Sequence, residues 1–209
     1  MSRVVPCLLG VSIMLTLSGC SVPSWFSSDA QAAVEEPTVE EPAPVEEPTV
    51  EEPPPVSIAN DLENGQTERT IEAGDVVLEI DYWSDLRMDR WTHDAAKPLT
   101  MNVTASLSGD GEESLYLRRV RVTPSVIGPD GSTNTILDPF MDEAGVEPGF
   151  VVKDPYSYSR TFLLPAVEES AVAIVLHIDY ELLRQSTPTS DEYVQQTGTD
   201  SLTIALSSD

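Results

Sequence analysis

The chain has 209 residues, of which 36 are Asp or Glu and 11 are Lys or Arg, so its formal net charge is -25 at pH 7. This acidity argues against nucleic acids and anionic lipid headgroups as direct partners, because both carry negative charge. The two cysteines, Cys7 and Cys20, both lie near the N-terminus. The rest of the chain therefore forms no disulfide, and burial of apolar side chains must stabilise its fold.

The first 20 residues have the organisation of a secretion signal. Arg3 gives a short positive region, residues 4–17 are almost entirely apolar, and small residues at 18 and 19 precede Cys20. About 14 apolar residues are too few to cross a hydrocarbon core of roughly 30 Å as a helix. We therefore predict that residues 1–19 are a cleaved signal peptide. The alternative is an ordinary signal peptide in which the cysteine is incidental.

Residues 17–20, with the sequence Leu-Ser-Gly-Cys, resemble the lipobox of bacterial lipoproteins. The resemblance implies transfer of diacylglyceryl to the Cys20 thiol, cleavage before Cys20 and, in many such proteins, acylation of the new amino group. Two or three acyl chains anchor a protein firmly, whereas one chain is marginal. The expected location is the cell membrane, with the protein lipid-anchored and facing the extracytoplasmic side.

Residues 20–66 are predicted to be a lipidated, Pro/Glu-rich, disordered linker. Each Val-Glu-Glu-Pro repeat offers one apolar side chain, which is too little to offset the entropy of ordering the backbone. The linker resembles the Pro/Glu-rich spacers of Gram-positive surface proteins, which implies a stalk that holds a domain away from the membrane. A polyproline ligand for another protein module is the alternative. The repeats lie at 34–37, 39–42, 45–48 and 50–53.

From residue 67 onward, apolar and polar residues alternate with a period of two, which is typical of half-buried β-strands. The phase of the alternation slips by one at Arg118 and Arg119, which predicts a β-bulge. One helical turn, capped by Ser84, is possible in the long connection 84–98. Met101, Val103, Leu176 and Ile178 are expected in the core. The predicted strands are 76–83, 99–107, 115–122, 133–137, 158–164, 172–182 and 202–206.

These strands predict an all-β fold, in which residues 67–209 form an antiparallel immunoglobulin-like β-sandwich of seven to eight strands. A domain of about 140 residues buries enough surface to be stable without a disulfide. The pattern of residues 100–107, 115–131, 148–149 and 158–165 loosely resembles small immunoglobulin-like domains of Gram-positive and actinobacterial lipoproteins, of the immunoprotective-extracellular-protein type. The Cys-Trp-Cys core of immunoglobulin domains is absent, and the resemblance carries no catalytic residues.

Two groups of side chains are of the types that bind metal ions. His177, Asp179 and Glu181 share one face of the longest predicted strand, where alternate residues project together. A solvated strand face is the plainer interpretation of this row. Acidic residues in two loops can supply oxygen ligands to calcium, but neither loop has the spacing of a known calcium motif. These acids are Asp85, Asp89 and Asp94 in one loop, and Asp138, Asp142, Glu143 and Glu147 in the other.

Other chemistry is sparsely represented. No Gly-x-Ser-x-Gly elbow and no phosphate-binding glycine loop occur in the sequence. Four aromatic residues can either line a carbohydrate or peptide surface or pack in the core, and packing is the plainer interpretation. They are Trp83, Trp91, Tyr156 and Tyr158. We therefore assign lipidation to Cys20 and predict no catalytic residue, cofactor or metal site.

The sequence favours a lipoprotein that displays a non-enzymatic interaction or accessory module on an acidic stalk. Its expected partners are the membrane, through the N-terminal lipid, and an extracytoplasmic protein or cell-wall component; nucleic acid is not expected. The domain is expected to be a monomer. The alternative from another class is a metal-dependent or hydrolytic surface enzyme that uses His93 or His177 with neighbouring acids.

Overall fold

A computed structural model describes residues 57–208 and shows two packed antiparallel sheets. Within this range the only helical element is a 3-10 turn, Met88–Arg90, between the second and third strands. The strands are β1 Gln66–Ala73, β2 Val76–Trp83, β3 Lys97–Leu107, β4 Leu115–Ile127, β5 Thr133–Ile136, β6 Phe140–Glu143, β7 Phe150–Val151, β8 Tyr158–Leu164, β9 Ala173–Gln185 and β10 Tyr193–Ala205. The prediction of an all-β sandwich is confirmed, with ten strands in place of seven to eight.

The order of the strands follows that of an immunoglobulin-like sandwich, except that among the described residues no strand occupies the D position beyond β8 and β1 is added at the other edge. The four-stranded sheet runs β1-β2-β3-β8, and the six-stranded sheet runs β10-β9-β4-β5, with β6 and β7 also paired to β4. The chain changes sheet between β3 and β4, between β7 and β8 and again between β8 and β9. Strands β2, β3 and β8 thus correspond to A, B and E of an immunoglobulin domain, while β4, β9 and β10 correspond to C, F and G.

The additional strands have weak signals in the sequence. Strand β1 is largely exposed and carries Glu68, Arg69 and Glu72, so its alternation is blurred. Its clearest signal is the two-residue turn to β2, where Gly74 has φ +66° and Asp75 follows. A glycine with positive φ at the first central position suits a tight hairpin. Strands β6 and β7 have four and two residues, which is too short for a period to be recognised.

The predicted β-bulge in β4 is confirmed. The register of β4 against β9 shifts between Leu117 and Arg119, so that Arg118 is the additional residue. Because of this shift, Leu117 and Val120 both point into the core although they are three positions apart. Arg119 and Arg121 are consequently on the opposite side of the strand, which faces away from the core.

The core lies between the two sheets. Met101, Val103, Leu176 and Ile178 are all fully buried, as the alternation predicted. Trp91, from the connection between β2 and β3, is also fully buried. Ser84 organises this connection: its Oγ donates to the Pro98 carbonyl at 2.6 Å and accepts from Trp91 Nε1 at 3.1 Å. The expected capping role of Ser84 is wrong, because the residue before the 3-10 turn is Arg87 and makes no side-chain cap.

The folded part begins before residue 67, where the sequence placed the domain boundary. Leu62 is fully buried in the core. The backbone N–H of Asp61 donates to the Thr203 carbonyl at 2.8 Å, and the Asp61 carboxylate accepts from the Thr203 N–H at 2.7 Å. Asp61 also forms an ion pair with Arg69 at 2.5 Å. Residues 60–66 therefore pack on the sandwich, because Leu62 is apolar and Asp61 satisfies backbone groups of β10.

Candidate functional site

The side of the six-stranded sheet that faces away from the core, here called the outer face, presents a regular grid of side chains. Residues directly opposite each other in an antiparallel sheet project on the same side, so the register defines the rows. One row places Arg119 beside Glu181, which is beside Thr197. The next row places Arg121 beside Asp179. Charged side chains therefore occupy the middle of this face.

The arginines of the outer face differ in their partners. Arg119 forms a close ion pair with Glu181, and Arg118 Nε lies 3.7 Å from the same carboxylate. The Arg121 guanidinium instead contacts the Met141 sulfur at 3.7 Å. Within residues 57–208, no carboxylate lies within 4.0 Å of Arg121. Arg121 is thus an exposed cation that remains available to a partner.

Three large apolar side chains lie along the β5–β7 edge of the outer face. Ile136 is 68% exposed, Met141 58% and Val151 40%. The register pairs Ile136 with Ser125, Met141 with Arg121 and Val151 with Tyr116, all of which are outer-face residues of β4. These positions lie four and five residues apart along β4, so the three side chains are spaced along the edge and are separated by polar residues. They are large exposed apolar groups that a protein partner can cover.

An aromatic pair closes one end of the outer face. The rings of Tyr116 and Tyr193 meet edge to face, with centroids 5.7 Å apart and an interplanar angle of 82°. Leu183, directly opposite Tyr116 on β9, is only 7% exposed although it projects away from the core. This end is therefore packed, and tyrosine hydroxyls at such a position can form hydrogen bonds with a partner.

The side of the four-stranded sheet that faces away from the core is acidic. Its register rows contain the exposed acids Glu68, Glu72, Glu79 and Asp81, and neither Lys nor Arg. Adjacent like charges in a sheet repel each other and keep such a surface hydrated. The two faces of the sandwich therefore differ, because one is acidic while the other combines both charges with apolar groups.

The structure places His177, Asp179 and Glu181, the row of metal-binding residue types, on the outer face. His177 is exposed, whereas the Glu181 carboxylate is held by two arginines. No three His, Cys, Asp or Glu side chains in the described range are grouped closely enough to hold a metal ion. His93 lies in the β2–β3 connection, where its carbonyl accepts from the Val167 N–H at 2.7 Å.

The acidic loops considered for calcium are occupied by protein contacts. Asp89 forms an ion pair with Arg87 at 2.6 Å. The Asp94 carboxylate accepts from the Thr92 hydroxyl at 2.6 Å, and this hydrogen bond lowers the pKa of Asp94. The Asp142 carboxylate accepts from the Tyr158 hydroxyl at 2.6 Å. These loops thus show side chains bound to one another and no convergence of oxygens on one point.

The four aromatic residues considered for a ligand surface are dispersed. Trp91 is fully buried and Tyr158 is 5% exposed, so both are core residues. Burial, together with the hydrogen bond to Asp142, raises the pKa of Tyr158. Trp83 is half-buried, and only Tyr156 is largely exposed. Packing is therefore the role of Trp91 and Tyr158.

Comparison with known proteins assigns no family. No protein-family model matches the chain, and no curated protein is significantly similar to it in sequence. Among residues 57–208, no helix is both long and apolar enough to cross a membrane. Cys20, the proposed lipidation site, and the repeats of the linker lie outside the described residues.

The grid on the outer face could not be assembled from the sequence. Arg119, Arg121, Asp179 and Glu181 lie on two strands about 60 residues apart, and only the register of β4 against β9 brings them together. The sequence feature that could have indicated the outward direction of Arg119 and Arg121 is the bulge, because it reverses which residues of β4 face away from the core. Met141 was missed because its strand has four residues.

Proposed function

We propose that this protein is a lipid-anchored extracytoplasmic lipoprotein whose β-sandwich is a non-enzymatic interaction module. The anchor is Cys20, on the strength of the Leu-Ser-Gly-Cys sequence at 17–20. The partner is an extracytoplasmic protein that binds the outer face of the six-stranded sheet. The observation that carries this proposal is the set of exposed apolar side chains Ile136, Met141 and Val151 along one edge of that face, with the exposed Arg121 in contact with Met141.

The size of the outer face suits a protein partner. Four strands spaced about 4.8 Å apart, over about ten residues of about 3.4 Å each, give an area of roughly 600 Å². Stable protein–protein interfaces bury about 800 Å² on each partner. The outer face together with its rim thus approaches a standard interface, with the three exposed apolar side chains as its apolar contacts and the arginines and tyrosines as polar contacts.

Charge also favours the outer face as the binding surface. From residue 67 to the end there are 25 acids and 10 bases, since 11 acids and one base precede this point. Most of the domain surface therefore repels acidic proteins, whereas the outer face combines arginines with carboxylates. A partner with an apolar patch and an acidic group placed for Arg121 meets complementary chemistry there.

Site-specific photo-crosslinking on intact cells tests the proposal. A photoreactive residue at Met141 is expected to capture a discrete partner, and Arg121→Glu in the same chain is expected to abolish the capture by repelling the partner's acid. The matched control is Leu163, which is 59% exposed and lies on the four-stranded sheet. Equal capture from positions 141 and 163, or capture that survives Arg121→Glu, would contradict binding at the outer face.

A further inference from the structure

The sandwich has four sheet edges, and three of them are protected against pairing with another strand. Strand β1 carries charged residues at 68, 69 and 72. Strand β8 carries Arg160 and ends before Pro165. The edge opposite β10 is divided into the short strands β5, β6 and β7. Charges, prolines and short edge strands are the usual devices that keep a sheet edge from recruiting further strands.

The fourth edge, β10, has none of these devices over most of its length. It has 13 residues, and its register with β9 is continuous, without a bulge. The window from Tyr193 to Thr199 contains no charged residue and no proline, although the chain as a whole is 22% charged. A long, regular, uncharged edge strand is a ready template for strand addition.

The free hydrogen-bonding groups of β10 can be assigned from its contacts. Both backbone groups of Thr203 bind Asp61, so they point away from β9. Backbone groups of alternate residues in an antiparallel strand point to the same side, which extends this direction to the other odd-numbered residues. Glu192, an even-numbered residue, accordingly accepts from Ser186 on the β9 side.

This alternation leaves Gln195, Thr197 and Thr199 with N–H and C=O groups directed to the open edge. Strand β10 pairs only with β9 among the described residues, and no other backbone group there binds these three. Further along the strand, the Ser201 N–H is satisfied by the Asp200 carboxylate at 2.8 Å and Thr203 by Asp61. The stretch of β10 with unpaired backbone groups therefore ends at Thr199, because side-chain carboxylates bind the outward N–H groups of Ser201 and Thr203.

We infer that β10 pairs with β10 of a second copy of this chain, in an antiparallel arrangement about a twofold axis at Thr197. Such pairing places Gln195 opposite Thr199 and Thr197 opposite itself, so no like charges meet within the window. It forms about six backbone hydrogen bonds through the three open residues of each copy. The two six-stranded sheets then become continuous, and their outer faces lie side by side.

The charge of the protein gives this dimer a distinctive salt dependence. Each copy carries an excess of acids, so the two copies repel each other at low ionic strength. Salt screens this repulsion over about 10 Å at 0.1 M and over shorter distances at higher concentration, while the backbone hydrogen bonds at the interface are uncharged. Association is therefore expected to strengthen as salt is added, which is opposite to the behaviour of an interface held by ion pairs.

Sedimentation velocity on the full chain carrying Cys20→Ser, which excludes association through lipid, tests the inference. A reversible monomer–dimer equilibrium is expected, with a dimer fraction that rises with protein and salt concentration. Thr197→Pro removes the outward N–H from both copies and is expected to weaken association at least about tenfold. Thr197→Val keeps that N–H and is expected to associate like the parent chain.

The substitution at 197 is chosen to leave the fold intact. Because the Thr197 N–H points away from β9, proline there removes no bond of the β9–β10 ladder. A second variant, Thr197→Glu, places two carboxylates across the twofold axis and is expected to abolish the dimer at low salt and to restore it partly at high salt. A monomer at every protein and salt concentration would overturn the inference and agree with the expectation of a monomer. Association of Thr197→Pro and Thr197→Glu as strong as that of the parent chain would also overturn it.

Discussion

The hydroxyl oxygens of Tyr82 and Tyr180 lie 2.6 Å apart and join the two sheets through the core. Tyr82 donates its proton to the Asp200 carboxylate at 2.8 Å, so the hydroxyl of Tyr180 donates to the Tyr82 oxygen. Both tyrosines are fully buried. Each buried hydroxyl thus has a partner, which removes the cost of placing it away from water.

Removal of the Tyr82 hydroxyl is expected to destabilise the fold, because it leaves a buried polar group without its hydrogen-bond partner. Tyr82→Phe leaves the hydroxyl of Tyr180 without its Tyr82 acceptor and removes one of the two donors to the Asp200 carboxylate. It is expected to lower the free energy of unfolding by about 1–3 kcal/mol. The double variant Tyr82→Phe/Tyr180→Phe is expected to cost less than the sum of the single variants, because the unpaired hydroxyl is gone. Urea denaturation measures both, with Tyr156→Phe as the exposed control. Strict additivity would show that the two hydroxyls act independently.

High pH is expected to unfold the domain cooperatively. Burial raises the pKa of Tyr82, Tyr180 and Tyr158 above the ordinary value of 10.0. In the unfolded chain these groups lose their protons near pH 10, whereas the folded state keeps them protonated. The stability they contribute is therefore fully present below pH 10.0 and is lost as the pH rises above it. Phenolate absorbance and circular dichroism are expected to change together; complete phenolate formation in a folded domain would contradict the burial of these rings.

The alternation in β3 predicts opposite results for two adjacent positions. Val103 is fully buried, so Val103→Asp buries an unpaired charge and is expected to unfold the domain. Thr104 lies on the side of the four-stranded sheet that faces away from the core, directly opposite Glu79. Thr104→Lys is expected to change the free energy of unfolding by less than about 0.5 kcal/mol, since surface changes are usually small. Thermal denaturation compares them, and similar damage from both would contradict the assigned faces.

The N-terminal limit of the folded unit is expected to depend on Leu62. A chain that starts at residue 67 lacks this buried side chain and the contacts of Asp61, and is expected to lose about 2–4 kcal/mol of stability. A chain that starts at residue 57 is expected to melt at the same temperature as one that starts at residue 21. The acidic repeats between them have too few apolar side chains to pack on an acidic domain. A lower melting temperature for the chain starting at 57 would mean that the repeats contact the sandwich.

Membrane attachment is expected to depend on the sulfur atom of Cys20. If the Cys20 sulfur carries lipid, Cys20→Ser is expected to release the protein from the membrane fraction or to leave it as an uncleaved precursor. Ser18→Thr, which changes the lipobox without removing the thiol, serves as the control and is expected to keep more of the protein in the membrane. Unchanged fractionation and normal processing of Cys20→Ser would exclude lipid attachment at this cysteine.

Much of the fold could be predicted from local pattern, because a strand with one buried face must alternate every second residue. Val103, Leu176 and Ile178 were assigned to the core correctly for this reason. The bulge at Arg118 was predicted by the same logic, since an additional residue reverses the alternation beyond it. Strands β1, β6 and β7 could not be predicted, because an exposed or very short strand needs no alternation.

The sequence by itself determined the class of fold, the absence of a disulfide from the domain and most of the buried faces, because these follow from apolar content, cysteine positions and period. Only the tertiary structure decided which outward-facing residues meet. Arg121 and Met141 become neighbours through the β4–β6 register, and the open groups of Thr197 follow from the contact of Thr203 with Asp61, 142 residues earlier in the chain. Strand pairing is a long-range choice among many possible registers, and no local pattern contains it.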